Sequence, residues 1–335
     1  MPTITSTPPA RATSACLLSP SSHPELKAAD SPTQRVSGAP SQGFQVVVHP
    51  QPLLSLGNVF DHEELDAWER RVRNIVPGEA FDYVCELKYD GLAIALTYED
   101  GVLVRGATRG NGQIGEGVTA NLRTVRDIPL RLRDEGDIPI PARMEIRGEI
   151  YMSLSGFERL NEARAADGLP TFANPRNATA GSLRQLDPGV TAGRPLHFFG
   201  FQIQLDPGRP GALPVRTQAE VLDLLAAWGI PVNPNRRVCA SLEEVITYAT
   251  EAEVERGSLD YEIDGMVIKI DEHRWYDRLG ETESVFALSN GWLGWRGTLE
   301  VLITLPLFVP PIITATGSPC RVAASRRRGN RFSRN

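Results

Sequence analysis

The sequence predicts an α+β fold of antiparallel sheets with flanking helices, and three observations carry that expectation. Short apolar runs with turns between them fill the stretch after Phe81: Val84 to Leu87, Leu92 to Tyr98, and Val102 to Ala107, with the dipeptide Asp100-Gly101 making a hairpin between the last two. Their connections are too short for a parallel crossover, so neighbouring strands run antiparallel. Helix-opening residues with Glu three positions later recur at Asp61/Glu64, Ser155/Glu158, Thr217/Glu220 and Ser241/Glu244, without the regular βαβ alternation of a doubly wound sheet.

Taken in order, Met1 to Ser22 is a Ser- and Pro-rich lead expected to be disordered, and His23 to Phe44 is a polar connector without a period. Pro52 to Leu56 is a short apolar run, after which Asp61 opens a helix that buries Leu65, Trp68 and Val72. Met144 to Met152 alternates, placing Glu145, Arg147 and Glu149 on one face and Met144, Ile146 and Ile150 on the other. Gly168 and Gly229 stand where two of the later helices stop. A last strand, Gly265 to Ile270, sets Val267, Lys269 and Asp271 against Met266, Ile268 and Ile270. The expected organisation is a lead over 1–22, a connector over 23–60, one domain over 61–284 and an atypical tail over 285–335.

Composition narrows the function classes. A net charge of −6 over 335 residues argues against a wholly basic nucleic-acid coat. Cys16, Cys85, Cys239 and Cys320 are widely spaced, so neither a disulfide framework nor a zinc site is expected, and a reducing cytoplasm is the default. The apolar run Leu299 to Ala315 is broken by Pro306, Pro310 and Pro311 and is not expected to span a membrane.

Of 35 Lys and Arg residues only Lys27, Lys88 and Lys269 are lysines. Arg stays charged in proteins, whereas a desolvated lysine amine can lose its proton and attack an electrophile. Lys88 on a short strand, two residues from Glu86 and two from Asp90, is therefore a candidate nucleophile. Lys269 is a point charge suited to a phosphate, and its removal is expected to weaken nucleotide binding more than stability. Gly110 to Gly115 satisfies a formal G-x-G-x-x-G, but the preceding strand belongs to a hairpin and no helix opens at Gly115, so the dinucleotide-fold reading fails. Arg109 at the mouth of that loop is a candidate anion or ribose contact. The turn-rich stretch Asn174 to Arg184 offers Arg176 and Arg184 to phosphates.

Glu86-Leu87-Lys88-Tyr89-Asp90-Gly91 resembles the K-x-D-G nucleophile motif of covalent nucleotidyltransferases. Together with Ala107-Thr108-Arg109-Gly110, Glu145-Ile146-Arg147-Gly148-Glu149, Asn174 to Asp187, and Asp264-Gly265-Met266-Val267-Ile268-Lys269, it resembles the adenylation domain of bacterial NAD+-dependent DNA ligases over roughly residues 23 to 284. The resemblance implies a nucleotidyltransferase fold and a three-step reaction. Lys88 attacks the α-phosphate of NAD+ and releases nicotinamide mononucleotide; the AMP passes to the 5′-phosphate of nicked double-stranded DNA; the 3′-hydroxyl then displaces it. It further implies that Ser55, Leu56 and Glu86 line the nucleotide pocket and that Arg109 and Glu149 serve the ribose. Lys269 would serve the phosphate, Asp90 the nucleophile's setting, and Arg176 and Arg184 the phosphates or nick. Mg2+ is the implied metal, its ligands unknown. A cytoplasmic, nucleoid-associated monomer is the implied context.

The family's opening nicotinamide-recognition domain, a later phosphate-binding lysine, the oligonucleotide-binding barrel, the zinc module and the helix-hairpin-helix unit have no counterpart in this sequence. The chain is accordingly expected to be cut short at both ends and not to seal nicks alone. Two other readings share its residues: a catalytically inactive nucleotide-binding fragment, and a nucleotidyltransferase that uses ATP or GTP.

Overall fold

The computed structural model describes residues 30, 35, 43–134, 136–206 and 213–289. Alternating stretches form the strands and helically spaced ones the helices, in the order β1 (Gln45–Val48), β2 (Asn58–Val59), α1 (His62–Ile75), β3 (Tyr83–Tyr89), β4 (Leu92–Glu99), β5 (Val102–Thr108), β6 (Ile114–Gly117), α2 (Thr119–Leu122), β7 (Arg143–Met152), α3 (Leu154–Ala166), α4 (Pro175–Leu183), α5 (Pro188–Ala192), β8 (Leu196–Leu205), α6 (Gln218–Ala227), β9 (Arg236–Cys239), α7 (Leu242–Glu255), β10 (Ile263–Ile270), α8 (Tyr276–Glu283) and β11 (Val285–Ser289). The α+β class expected from the sequence is the one observed.

Two sheets result. The first runs β1-β6-β5-β4-β7-β8 and is antiparallel throughout. The second runs β2-β11-β10-β3-β9, antiparallel except that β2 lies parallel to β11. Asp90-Gly91 therefore does not fold β3 back on β4; it carries the chain from the second sheet to the first. The reason is burial: Tyr83 to Leu87 are buried without alternation, so β3 takes an interior place between β10 and β9.

Each sheet has its own core. The apolar face expected on β7, Met144, Ile146 and Ile150, packs with Ile94, Leu96, Phe198, Leu222, Leu225 and Trp228 on the first sheet. Cys85, Leu87, Met266 and Ile268 of the second sheet pack with Leu65, Trp68 and Val72 of α1 and Val245 of α7. Each fully buried Leu, Ile or Val in these layers contributes roughly 1.5–3 kcal/mol.

Three of the four helix starts expected from the sequence are observed. Asp61 accepts the Glu64 N–H at 2.9 Å while the Glu64 carboxylate accepts the Phe60 N–H. Thr217 and Glu220 form the expected reciprocal cap on α6, and Ser241 caps α7. Gly168 and Gly229 directly follow the last capping residues of α3 and α6.

At α3 the cap is Ser153, whose Oγ accepts the Gly156 N–H, rather than Ser155. A distant partner decides this: the Ser155 N–H and hydroxyl both donate to the Asp260 carboxylate at 2.8 Å. Asn174 to Arg184, expected as turns, is α4, with Asn174 as its cap and Pro175 in the first turn, where its missing N–H costs nothing. Among the described residues no helix is long and apolar enough to cross a membrane. The lead over 1–22 and the run 299–315 lie outside the described residues.

Candidate active site

Pairing of β3 with β10 brings the two lysine stretches side by side: Gly265 faces Lys88, Val267 faces Glu86 and Lys269 faces Val84. Glu86 and Lys88, two residues apart, share a strand face. Lys269 Nζ donates to Glu86 Oε1 at 2.7 Å and to the Phe201 carbonyl at 3.3 Å, and lies 5.5 Å from the centre of the Phe201 ring. Removing Lys269 thus strands a buried carboxylate, so a cost in stability accompanies any loss of nucleotide binding.

Lys88 is more open, and its Nζ donates to Asp264 Oδ2. Simple alternation would put Asp264 on the apolar face with Met266. A β-bulge between Ile263 and Gly265 resets that parity and aims the carboxylate at the amine. Gly265 makes the bulge possible, with φ +146° and its α-carbon so close to β11 that a Cβ would stand 2.0 Å from the Leu288 carbonyl oxygen. Asp264 was not among the sequence candidates, and only its place beside Gly265 in the second lysine stretch hinted at it.

The first sheet supplies the facing groups. Glu149 on β7 sits among charges: burial pushes its carboxyl up to about 8, Arg176, Lys88 and Arg109 pull it back down, and Asp264 pushes it further up. Arg176, in the first turn of α4, donates to Asp90 Oδ1 at 2.8 Å. Lys88, Asp90, Arg109, Glu149, Arg176 and Asp264 therefore form one cluster at the seam of the two sheets, with the Glu86–Lys269 pair beside it.

Arg184 does not join them. It caps the far end of α4, about 12 Å along the helix from Arg176, and pairs with Glu116 at 2.7 Å. Ser55 and Leu56 lie on a strap that crosses from sheet to sheet: the Leu53 N–H donates to the Gly112 carbonyl of the first sheet's loop at 2.8 Å, and the Gly57 carbonyl accepts from Ala287 of β11 at 2.8 Å.

Residues 41–288 match the family model described as the NAD-dependent DNA ligase adenylation domain. The chain belongs to that family. It is 50% identical over 258 residues to a DNA ligase of Herpetosiphon aurantiacus, covering 77% of this chain and 38% of that protein. A DNA ligase of Desulforamulus reducens is 51% identical over 261 residues, 78% of this chain and 38% of that protein. One from Thermomicrobium roseum is 50% identical over 258 residues, 77% of this chain and 37% of its own length. The chain thus spans well under half the length of the curated relatives it matches. The five stretches on which the resemblance rests, from Glu86 to Lys269, all fall inside the matched residues, and the family matched is the NAD-dependent one.

Proposed function

We propose that this chain performs the adenylation step of an NAD+-dependent DNA ligase. The Lys88 Nζ forms a bond to the α-phosphorus of NAD+ as the bond from that phosphorus to the bridging oxygen breaks, and nicotinamide mononucleotide leaves with that oxygen and its electron pair. The ammonium must shed a proton first, and Asp264, in contact with Nζ, is placed to take it. With its carboxyl pushed up to about 8, Glu149 is largely protonated at neutral pH and can donate a hydrogen bond to a ribose oxygen. Arg109 and Arg176 offset phosphate charge, and Lys269, held by Glu86, keeps a fixed cation beside it.

Among the described residues no three His, Cys, Asp or Glu side chains gather as a self-sufficient metal site. Mg2+ commonly binds through one or two carboxylates plus substrate phosphates, and Asp264 fits that manner of binding as one such carboxylate. When bound it would neutralise phosphate charge.

Transfer of AMP to a nicked duplex and sealing complete the reaction we propose for the full-length ligase in replication and repair, with Arg184, outside the lysine cluster, as a contact to the DNA backbone. We place the protein in the cytoplasm as a monomer.

The observation that carries this reading is the Lys88–Asp264 contact, with Glu149 in electrostatic reach of the same amine. Incubation with NAD+ and Mg2+, followed by intact-mass measurement and peptide mapping, is expected to find one AMP on Lys88, and none when ATP replaces NAD+. NAD+ binding without an adduct would favour an inactive nucleotide-binding fragment.

A further inference from the structure

The buried Glu145–Arg147 pair on β7 and residues 110–115 of the turn after β5 have no role in the adenylation chemistry proposed above, yet both converge on residues 49–53, where the chain enters the strap 53–57. The Arg147 side chain is 7% exposed and spends its nitrogens on three partners: Nε donates to Glu145 Oε1 at 3.0 Å, one terminal nitrogen to the Pro52 carbonyl at 3.1 Å and the other to the Gln51 carbonyl at 2.8 Å. Alternation alone makes this a solvated face. It is buried because the chain before the strap lies on it, and two consecutive carbonyls are gripped by one rigid planar fork.

The turn at 109–115 supplies a second grip. Asn111 Oδ1 accepts the N–H groups of Gln113 at 3.0 Å and Ile114 at 2.8 Å, which fixes Gly112 at φ +95°. The Gly112 carbonyl then receives the Leu53 N–H and the Gln113 carbonyl the His49 N–H. A Cβ at Gly112 would stand 2.9 Å from the Leu53 carbonyl oxygen, so glycine allows the close approach. The same turn begins at Arg109, within electrostatic reach of Glu149. One short piece of chain therefore couples the strap to the charged cluster.

We infer that Arg147 is a positioning residue: with the turn around Gly112 it fixes the strap that carries Ser55 and Leu56 from one sheet to the other and so sets affinity for the nucleotide without touching it. This rests on reading the charged cluster at the sheet seam as a nucleotide site. Arg147→Lys keeps a positive charge beside Glu145 but replaces a three-partner fork by a single nitrogen. Gly112→Ala perturbs the strap from the other grip and leaves the buried pair intact.

Hydrogen exchange by mass spectrometry and calorimetric titration with NAD+ decide the matter. Both variants are expected to speed exchange at residues 53–57 while leaving α6 and α7 unchanged, and to weaken NAD+ binding roughly tenfold, the equivalent of one lost hydrogen bond. Adduct formation at saturating NAD+ should match wild type. Unchanged strap exchange with unchanged affinity overturns the inference, as does exchange that rises equally through β4 and β7, which would mark Arg147 as a general prop. A wild-type chain that binds no NAD+ defeats the nucleotide reading and the affinity half of this inference with it. The exchange measurement then still decides whether Arg147 and Gly112 hold the strap.

Discussion

The two lysine pairs on the β3–β10 ladder are chemically alike and physically different. Lys269 and Glu86 have side chains 13% and 6% exposed, whereas those of Lys88 and Asp264 are 28% and 38% exposed. In the closed pair each charge depends on the other, because removing one partner leaves its mate desolvated and alone. In the open pair water screens both, the contact contributes little to stability, and the amine can exchange its partner for a substrate. One sheet thus holds a closed cation and an open one on neighbouring strands.

The most severe test of that contrast is Lys88→Arg. The guanidinium keeps the charge beside Asp264 but cannot act as the nucleophile, so the AMP adduct should vanish while the melting temperature moves by no more than about 2 °C. Persistent labelling would remove Lys88 from its assigned role. Next in size is Glu86→Gln, which leaves Lys269 buried without its carboxylate and should cost about 3 kcal/mol in urea unfolding. A cost below about 1 kcal/mol would make the two pairs equivalent, both screened by solvent.

The smallest effect concerns pH. Burial raises the Glu149 carboxyl in the folded protein to about 8, above its ordinary value near 4.5, so in that window the folded chain holds a proton that the unfolded chain has released. Stability should therefore be greatest below about pH 4.5, as far as this group is concerned, fall as pH rises toward 8, and level off above it. Glu149→Gln should flatten that slope by on the order of 1–3 kcal/mol, read from melting temperatures across pH 5 to 9. A variant whose slope equals that of wild type would place Glu149 with the open groups rather than the closed ones.

Local patterns in the chain were enough for much of this. The buried stripe of α1, the reciprocal cap at Thr217 and Glu220, the β4–β5 hairpin and the shared face of Glu86 and Lys88 all depend on residues within a few positions of one another. Lys88 and Lys269 marked the site because the rest of the chain writes nearly all its cations as Arg. Short segments such as Gln45–Val48 and Val285–Ser289 were not legible, since each is a strand only because β6 or β10 is there to pair with it.

By itself, then, the sequence determined the α+β class and the starts of α1, α6 and α7, and it singled out Lys88 as the candidate nucleophile, because hydrogen-bond periods and caps are settled over one or two turns of chain. Tertiary structure alone decided that β3 and β4 part into separate sheets, that Asp264 meets Lys88 across 176 residues, and that Arg147 grips the Pro52 carbonyl, 95 residues upstream and just ahead of the strap. Those meetings follow from which buried faces must cover one another and from a bulge that shifts register by one residue, and nothing in the spacing of neighbouring residues encodes either.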